Sequence, residues 1–152
     1  MRIFLGDLTH DTVGPATEIF PLNIGYVAAY CLEHHRGAVE TTLFKDIREL
    51  AVAIERDPPD ILGLSNYPWC HNADMAIFEV LAERRPEALR LMGGPNFPHD
   101  AAGQRAFMGA RPLIDAYVYL DGEVGFSNLI ELARESRDLT EARDRLRGEA
   151  VA

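Results

Sequence analysis

Ser65, Asn66, Tyr67 and Trp69 follow directly on the apolar run "DILGL", and Gly93, Gly94 and Pro95 follow directly on "ALRLM". These residues suit holding a ligand better than transforming one. Residues without side chains at the end of an apolar run let a flat or bulky group approach the backbone, although Gly-Gly-Pro also makes a plain turn. Ser65 can donate a hydrogen bond into a pocket or cap the turn that follows it. Tyr67 and Trp69 need apolar cover, which either a ligand or their own domain can supply. A third segment, Gly122-Glu123-x-Gly125, opens a helix, so its backbone N–H groups face outward, while the Glu123 carboxylate opposes an anion there.

Other chemistries find little support. His10, Asp11, His34, His35, His71 and His99 are scattered, and no i, i+4 pair has a third partner, so no zinc site is expected. The His34-His35 pair marks a helix end and is expected to be solvated or to oppose the helix dipole. The cysteines, Cys31 and Cys70, form no C-x-x-C pair and are expected as reduced thiols. With 24 acidic against 15 basic residues and a net charge of -9, the surface should repel nucleic acid. Asp7 interrupts the first apolar run and no stretch of 18 apolar residues occurs, which predicts a soluble, cytoplasmic protein away from membranes.

The elements that must position these residues alternate along the chain of 152 residues, whose 47% hydrophobic content suffices for one core. Strands are expected at 2–8, 37–46, 60–66, 88–94 and 115–122. Helices are expected at 23–35, at 47–57 before Pro58-Pro59, from a cap at Asn72 to Arg85, at 100–109 and at 123–136. Five mostly apolar strands alternating with helices predict an α/β fold, a doubly wound parallel sheet of Rossmann-like or flavodoxin-like order in a single domain. Such sheets bind ligands beyond the carboxyl ends of the strands, where the strand order reverses.

Four segments in order, "PLNIGYVAAY", "LGLSNYPW", "MGGPNFP" and "DGEVGF", resemble the N-terminal cobalamin-binding domain of cobalamin-dependent radical SAM enzymes of the methyltransferase type. The resemblance runs from Pro21 to Phe126, and the Ser65 to Gly93 spacing fits the wider cobalamin-binding group. It implies base-off cobalamin as the cofactor, with its nucleotide tail between the third and fourth strands and its corrin over the strand ends. By the same resemblance Ser65 hydrogen-bonds the tail, Gly93 and Gly94 let it pass the sheet, and Gly122 with Glu123 line its nucleotide end. Tyr67, Pro68 and Trp69 lie beneath or beside the corrin, Pro21, Leu22 and Asn23 close the other edge, and Asn66 and Pro95 complete the set.

Two departures matter. The wider group's D-x-H-x-x-G is not kept, since Asp7 and His10 stand one residue too far apart and Gly14 is displaced, so no protein ligand to cobalt is assigned. Cys70 stands where the family loop commonly has Asn, and Cys70 and His71 are expected to be solvated rather than on the metal. The C-x-x-x-C-x-x-C that would hold an iron-sulfur cluster with SAM is missing, so cluster and SAM are expected only in a catalytic domain elsewhere in a parent chain. Residues 1–137 are then the cobalamin-binding domain, and 138–152 a charged solvated helix or the start of a linker. The alternative from another class is a flavodoxin-like FMN-binding electron carrier, suggested by "THDTVGPAT" after the first strand but at the wrong spacing. A signalling receiver lacks its acceptor aspartate, because Ser65-Asn66 ends the third strand.

Overall fold

The computed structural model describes residues 1–9, 20–120 and 122–148. In chain order the elements are β1 (Arg2–Gly6), α1 (Leu22–His34), β2 (Glu40–Phe44), α2 (Ile47–Arg56), β3 (Ile61–Ser65), α3 (His71–Arg84), β4 (Leu89–Gly93), α4 (Ala101–Gly109), β5 (Ala116–Val118), α5 (Gly122–Glu135) and α6 (Leu139–Gly148). All strand pairs are parallel, in the order β2-β1-β3-β4-β5. This is the doubly wound α/β sheet expected, with its order reversing between β1 and β3.

Side chains alternate across the sheet, so each strand feeds two cores. Ile3, Leu5, Ile61, Leu89 and Leu91 meet α1 and α5 on one face. Phe4, Leu62, Leu64 and Met92 meet Leu50 and Ile54 of α2 and Phe78 and Leu81 of α3 on the other. The register carries the alternation across strands: Leu5, Gly63 and Leu91 form one row, and Ser65, Gly93 and Val118 form the next row toward the carboxyl ends.

Local signals explain most boundaries. The Asp46 carboxylate accepts from the N–H groups of Arg48 and Glu49 at 2.7 and 3.2 Å and starts α2, and Asp100 accepts from Gly103 at 2.9 Å and starts α4. Asn72 is not the cap of α3. The helix starts two residues earlier than that cap implies, at His71, and its cap position is Cys70, whose side chain makes no capping bond. The thiol turns inward instead and donates to the Ser65 carbonyl at 3.4 Å and to Asp74 Oδ2 at 3.2 Å.

The charged tail also differs from expectation. α6 is not a solvated helix: it buries Ala142 and Leu146 in the core beneath α1 and α5. Its Arg143 and Arg147, i and i+4 on one face, each reach the buried Asp115 carboxylate at 3.0 Å, which Arg90 approaches at 3.3 Å. A buried carboxylate needs compensating cations, and α6 brings two of them.

Candidate functional site

The two faces of the sheet diverge at its carboxyl end. On the α1/α5 face, the rows described above place glycine at Gly63 and Gly93 with Ser65 between them, so side chains are missing where the core would otherwise continue. A cavity of about 230 Å3 results, roofed by Ile24 and Val27 of α1 and Phe126 of α5 and walled by Leu5, Leu91 and Val118. It lies at the switch between β1 and β3, where the topology predicts a ligand. A Cβ at Gly63 would come within 2.8 Å of both Leu5 Cδ2 and Phe126 Cε2, so any side chain there must displace the wall. A Cβ at Gly93 would meet only Val118, at 3.4 Å or more, and would point into the space.

Polar groups gather at the mouth. Asn23, in the first turn of α1, donates from Nδ2 to Ser65 Oγ at 3.0 Å and to the Tyr67 hydroxyl at 3.5 Å. Ser65 is therefore tied to α1 rather than capping its own turn. Burial pushes the Asp7 carboxyl up, partly offset by a hydrogen bond from Asn23 and the charge of Lys45. Burial and then the nearby Asp7 push the Tyr67 phenol up as well. Gly122 and Glu123 complete the mouth from the first turn of α5.

Above the mouth the rim is apolar. Trp69 is 62% exposed and stacks on Tyr67, with ring centroids 4.8 Å apart and planes at 11°. Leu120 lines the cavity, is 79% exposed and has φ 68°, the left-handed conformation that a leucine rarely takes. Strain of that kind, on a bulky residue at a strand end, marks functional segments. Leu22 and Val124, next in sequence to the lining residues Asn23 and Glu123, are exposed as well. Exposed apolar side chains beside a pocket are a feature of binding surfaces.

Of the residues singled out from sequence, Asn23, Ser65, Tyr67, Gly93, Gly94, Gly122 and Glu123 line the cavity. Pro21, Leu22, Trp69 and Pro95 stand outside it on the surrounding loops and helix start. Asn66 is fully buried and its amide is committed within the protein. Its Nδ2 donates to the Asn96 carbonyl at 2.8 Å and to the Tyr117 hydroxyl at 3.2 Å, and its Oδ1 lies 3.0 Å from His71 Nδ1. The Tyr117 hydroxyl donates in turn to the Gly94 carbonyl at 2.8 Å. Asn66 thus ties the loop after β3 to the loop after β4. Gly94, at φ 111°, is required by that junction, because a Cβ would stand 3.0 Å from the Asn66 carbonyl oxygen.

Three expected solvated groups are engaged instead. The Cys70 thiol is buried, and that burial, with Asp74 beside it, pushes it up to about 12. His71 Nε2 accepts from Arg111 Nε at 2.9 Å, which leaves the proton on Nδ1 facing Asn66. Burial and the Arg111 charge push the His71 imidazole down, which favours its neutral form. His35 is buried at the far end of α1, 2.8 Å from Ser127 Oγ and 3.3 Å from an Arg134 nitrogen. For His71 and His35 a neighbour distant in sequence closes over the group, whereas Cys70 is held by Ser65 and Asp74 within five residues.

Sequence reasoning passed over Gly63, Val27, Val118, Leu120 and Phe126. Gly63 was detectable: a glycine inside an otherwise greasy strand, two residues before Ser65, signals a close approach on the face that Ser65 shares. Thr12, Gly14 and Thr17, on which the flavodoxin alternative depends, and His10 lie outside the described residues. Among the described residues, no group of three or more histidine, cysteine, aspartate or glutamate side chains is placed to hold a metal ion. No helix among them is long and apolar enough to cross a membrane.

No protein-family model matches the chain. Over 121 residues, 76% of its length, it is 31% identical to the 2-(S-pantetheinyl)-carbapenam-3-carboxylate methyltransferase of Streptantibioticus cattleyicolor, covering 17% of that protein. Over 116 residues, 72% of its length, it is 31% identical to the cobalamin-dependent radical SAM methyltransferase TokK of Streptomyces tokunonensis, covering 16% of it. The chain is a relative of cobalamin-dependent radical SAM methyltransferases. The resemblance carried by the four segments is thereby borne out. An uncharacterized methyltransferase of Pyrococcus horikoshii is 27% identical over 133 residues, 84% of the chain and 27% of that protein. The chain therefore spans from about a sixth to about a quarter of the length of these methyltransferases. Among solved structures, the methanol:cobalamin methyltransferase complex MtaBC of Methanosarcina barkeri superposes with a TM-score of 0.57 over 95% of this chain and 51% of that one, at 14% identity. That likeness supports the fold alone.

Proposed function

We propose that the chain is the cobalamin-binding module of a cobalamin-dependent radical SAM enzyme that transfers methyl groups, with the iron-sulfur cluster and SAM held by a catalytic domain outside this sequence. The observation that carries the reading is the cavity opened by Gly63 and Gly93 at the switch point, beneath an apolar aromatic rim. At about 230 Å3 the cavity is smaller than the roughly 300–1,000 Å3 typical of sites that enclose a whole small molecule. It suits one bicyclic end of a larger cofactor whose flat body rests outside, on the rim.

The chain's residues divide accordingly. Asn23 and Ser65 meet the polar linkage of the nucleotide tail at the mouth, Gly93 leaves its path open, and Gly122 and Glu123 border it from α5. Tyr67 and Trp69 offer a flat face to the corrin and shed water from it, flanked by Pro21, Leu22 and Pro95. Asn66 acts through the loops it ties, by fixing Ser65 relative to Gly94. Cobalamin held this way would be base-off and would supply methyl-carrying chemistry. Cys70 and His71 stay engaged inside the protein, Cys70 with Ser65 and Asp74 and His71 with Asn66 and Arg111.

The test is a visible absorption spectrum after incubation with hydroxocobalamin and desalting. Retained colour with bands at the base-off positions is the expected result, together with its loss in Gly93→Leu protein that still folds. A folded wild-type chain that elutes colourless overturns the reading.

A further inference from the structure

Behind the loops that frame the cavity runs a chain of hydrogen bonds whose side chains do not line it. Arg111, in the loop after α4, donates from Nε to His71 Nε2 at 2.9 Å. His71 Nδ1 lies 3.0 Å from Asn66 Oδ1, and Asn66 Nδ2 donates to the Asn96 carbonyl at 2.8 Å and to the Tyr117 hydroxyl at 3.2 Å. That hydroxyl donates to the Gly94 carbonyl at 2.8 Å. Arg111 is itself held, with its guanidinium 3.9 Å over the Phe107 ring and Nη1 donating to the Phe107 carbonyl at 3.1 Å.

The polarity of this chain is fixed from both ends. A guanidinium can only donate and a backbone carbonyl can only accept, whereas a neutral imidazole, a carboxamide and a hydroxyl can each face either way. Arg111 makes His71 Nε2 an acceptor, so the ring proton sits on Nδ1 and donates to Asn66 Oδ1. The Asn96 carbonyl takes the other end of the amide, and the Tyr117 proton is left for Gly94. A proton on Nε2 would instead face the Arg111 N–H, and two lone pairs would meet between Nδ1 and Asn66. The chain ends where the site needs it, since Gly94 lines the cavity at φ 111° and packs against the Asn66 backbone.

We propose that Arg111 and His71 are positioning residues for the ligand site, holding the Gly93-Gly94 turn in the conformation that leaves the path into the cavity open. This rests on the reading that cobalamin binds there. The two residues act by pre-organisation. Without them the Asn66 amide and the Tyr117 hydroxyl are free to turn, and part of the binding free energy goes into ordering the loops.

The experiment has two readouts. In the ligand-free chain, a long-range proton–nitrogen NMR spectrum of the histidine rings gives the tautomer of His71, identified by its absence from His71→Asn protein. A proton on Nδ1 is expected in wild type and a mixture of tautomers in Arg111→Met. Trp69 is the sole tryptophan and stacks on Tyr67 beside the cavity, so quenching of its fluorescence reports the dissociation constant of hydroxocobalamin. Arg111→Met and His71→Leu are each expected to raise that constant about tenfold. His71→Asn, whose Nδ2 replaces Nδ1 as the donor to Asn66, is expected to stay within about twofold of wild type.

A wild-type ring protonated on Nε2 overturns the inference. So does wild-type affinity in folded Arg111→Met or His71→Leu protein. Equal weakening in His71→Asn and His71→Leu reduces the side chain to packing and overturns it as well. Each of these results leaves the cobalamin reading intact. If wild-type protein does not bind hydroxocobalamin, the cobalamin reading fails and takes the inference with it, whichever tautomer is found.

Discussion

The α2/α3 face of the sheet and the α1/α5 face are built from the same five strands with the same alternation, yet one is closed and the other is hollow at its carboxyl end. On the closed face Leu62, Leu64 and Met92 pack with Phe4 and Phe78. On the hollow face the two rows nearest the carboxyl ends hold Gly63 in one and Ser65 and Gly93 in the next. A binding site here is made by subtraction, and the intact face opposite supplies the rigidity that keeps the subtraction from collapsing. The division explains why stability and ligand binding should respond to different substitutions.

The largest effect should come from the closed face. Phe78→Ala removes a fully buried ring and should lower stability by about 3–5 kcal/mol in urea denaturation. The folded remainder should still bind the cofactor, which separates the two faces in one variant. On the hollow face, Gly93→Leu should do the reverse. Its side chain enters open space, so stability should change by less than about 1 kcal/mol while cofactor affinity falls by about a hundredfold, as read by Trp69 quenching. If Gly93→Leu instead unfolds the chain, the cavity is a structural void and the contrast between the faces disappears.

A smaller effect tests the mouth. Burial raises the Asp7 carboxyl above the ordinary aspartate value of 3.8, so the folded chain holds that proton more tightly than the unfolded chain does. Its contribution to stability is then greatest below about pH 3.8, declines as pH rises through the raised folded value, and is flat above it. Asp7→Asn should remove that decline and leave the chain less than about 0.5 kcal/mol more stable at pH 7 than at pH 4 relative to wild type, seen in thermal melts at the two pH values.

The smallest effect uses one thiol on each side of the sheet. Cys31 on the buried face of α1 and Cys70 at the start of α3 are both buried, and burial pushes each up to about 12. Neither should react with iodoacetamide at pH 8 except through opening of the fold. Bound cofactor should slow alkylation of Cys31, which shares its core with the cavity roof, more than that of Cys70. Equal slowing of both would mean that the faces open together.

Much of this was legible in the sequence. Apolar runs at 2–8, 60–66 and 88–94 alternating with helical periods dictate a parallel sheet, and the loops that end those runs hold most of the residues that reach the cavity mouth. Ser65, Tyr67, Gly93 and Gly122 could be picked out because loop chemistry is local: a hydroxyl, a ring or a missing side chain at a strand end declares itself by type. Asp46 and Asp100 cap helices within three residues of the N–H groups they serve, but the periodicity of the sequence puts Asp46 at the end of a strand and Asp100 inside a helix.

What local chemistry could not reveal is which residues from distant segments share a surface. Gly63 and Val118 line one cavity only because β3, β4 and β5 pair in a particular register. Asn66 turned inward, to Tyr117 and Asn96, because the loop after β4 closes over it. The charged segment after Arg137 reads as solvated until Asp115 is seen to be buried at the start of β5 with Arg143 and Arg147 as its counter-ions. The sequence by itself determined the element types, the sheet and the chemical character of its rim, since periodicity and residue type act over a few neighbours. The hollow beneath the rim, the set of residues that line it and the docking of α6 were decided by tertiary structure, because burial and pairing are properties of surfaces that only the folded chain brings together.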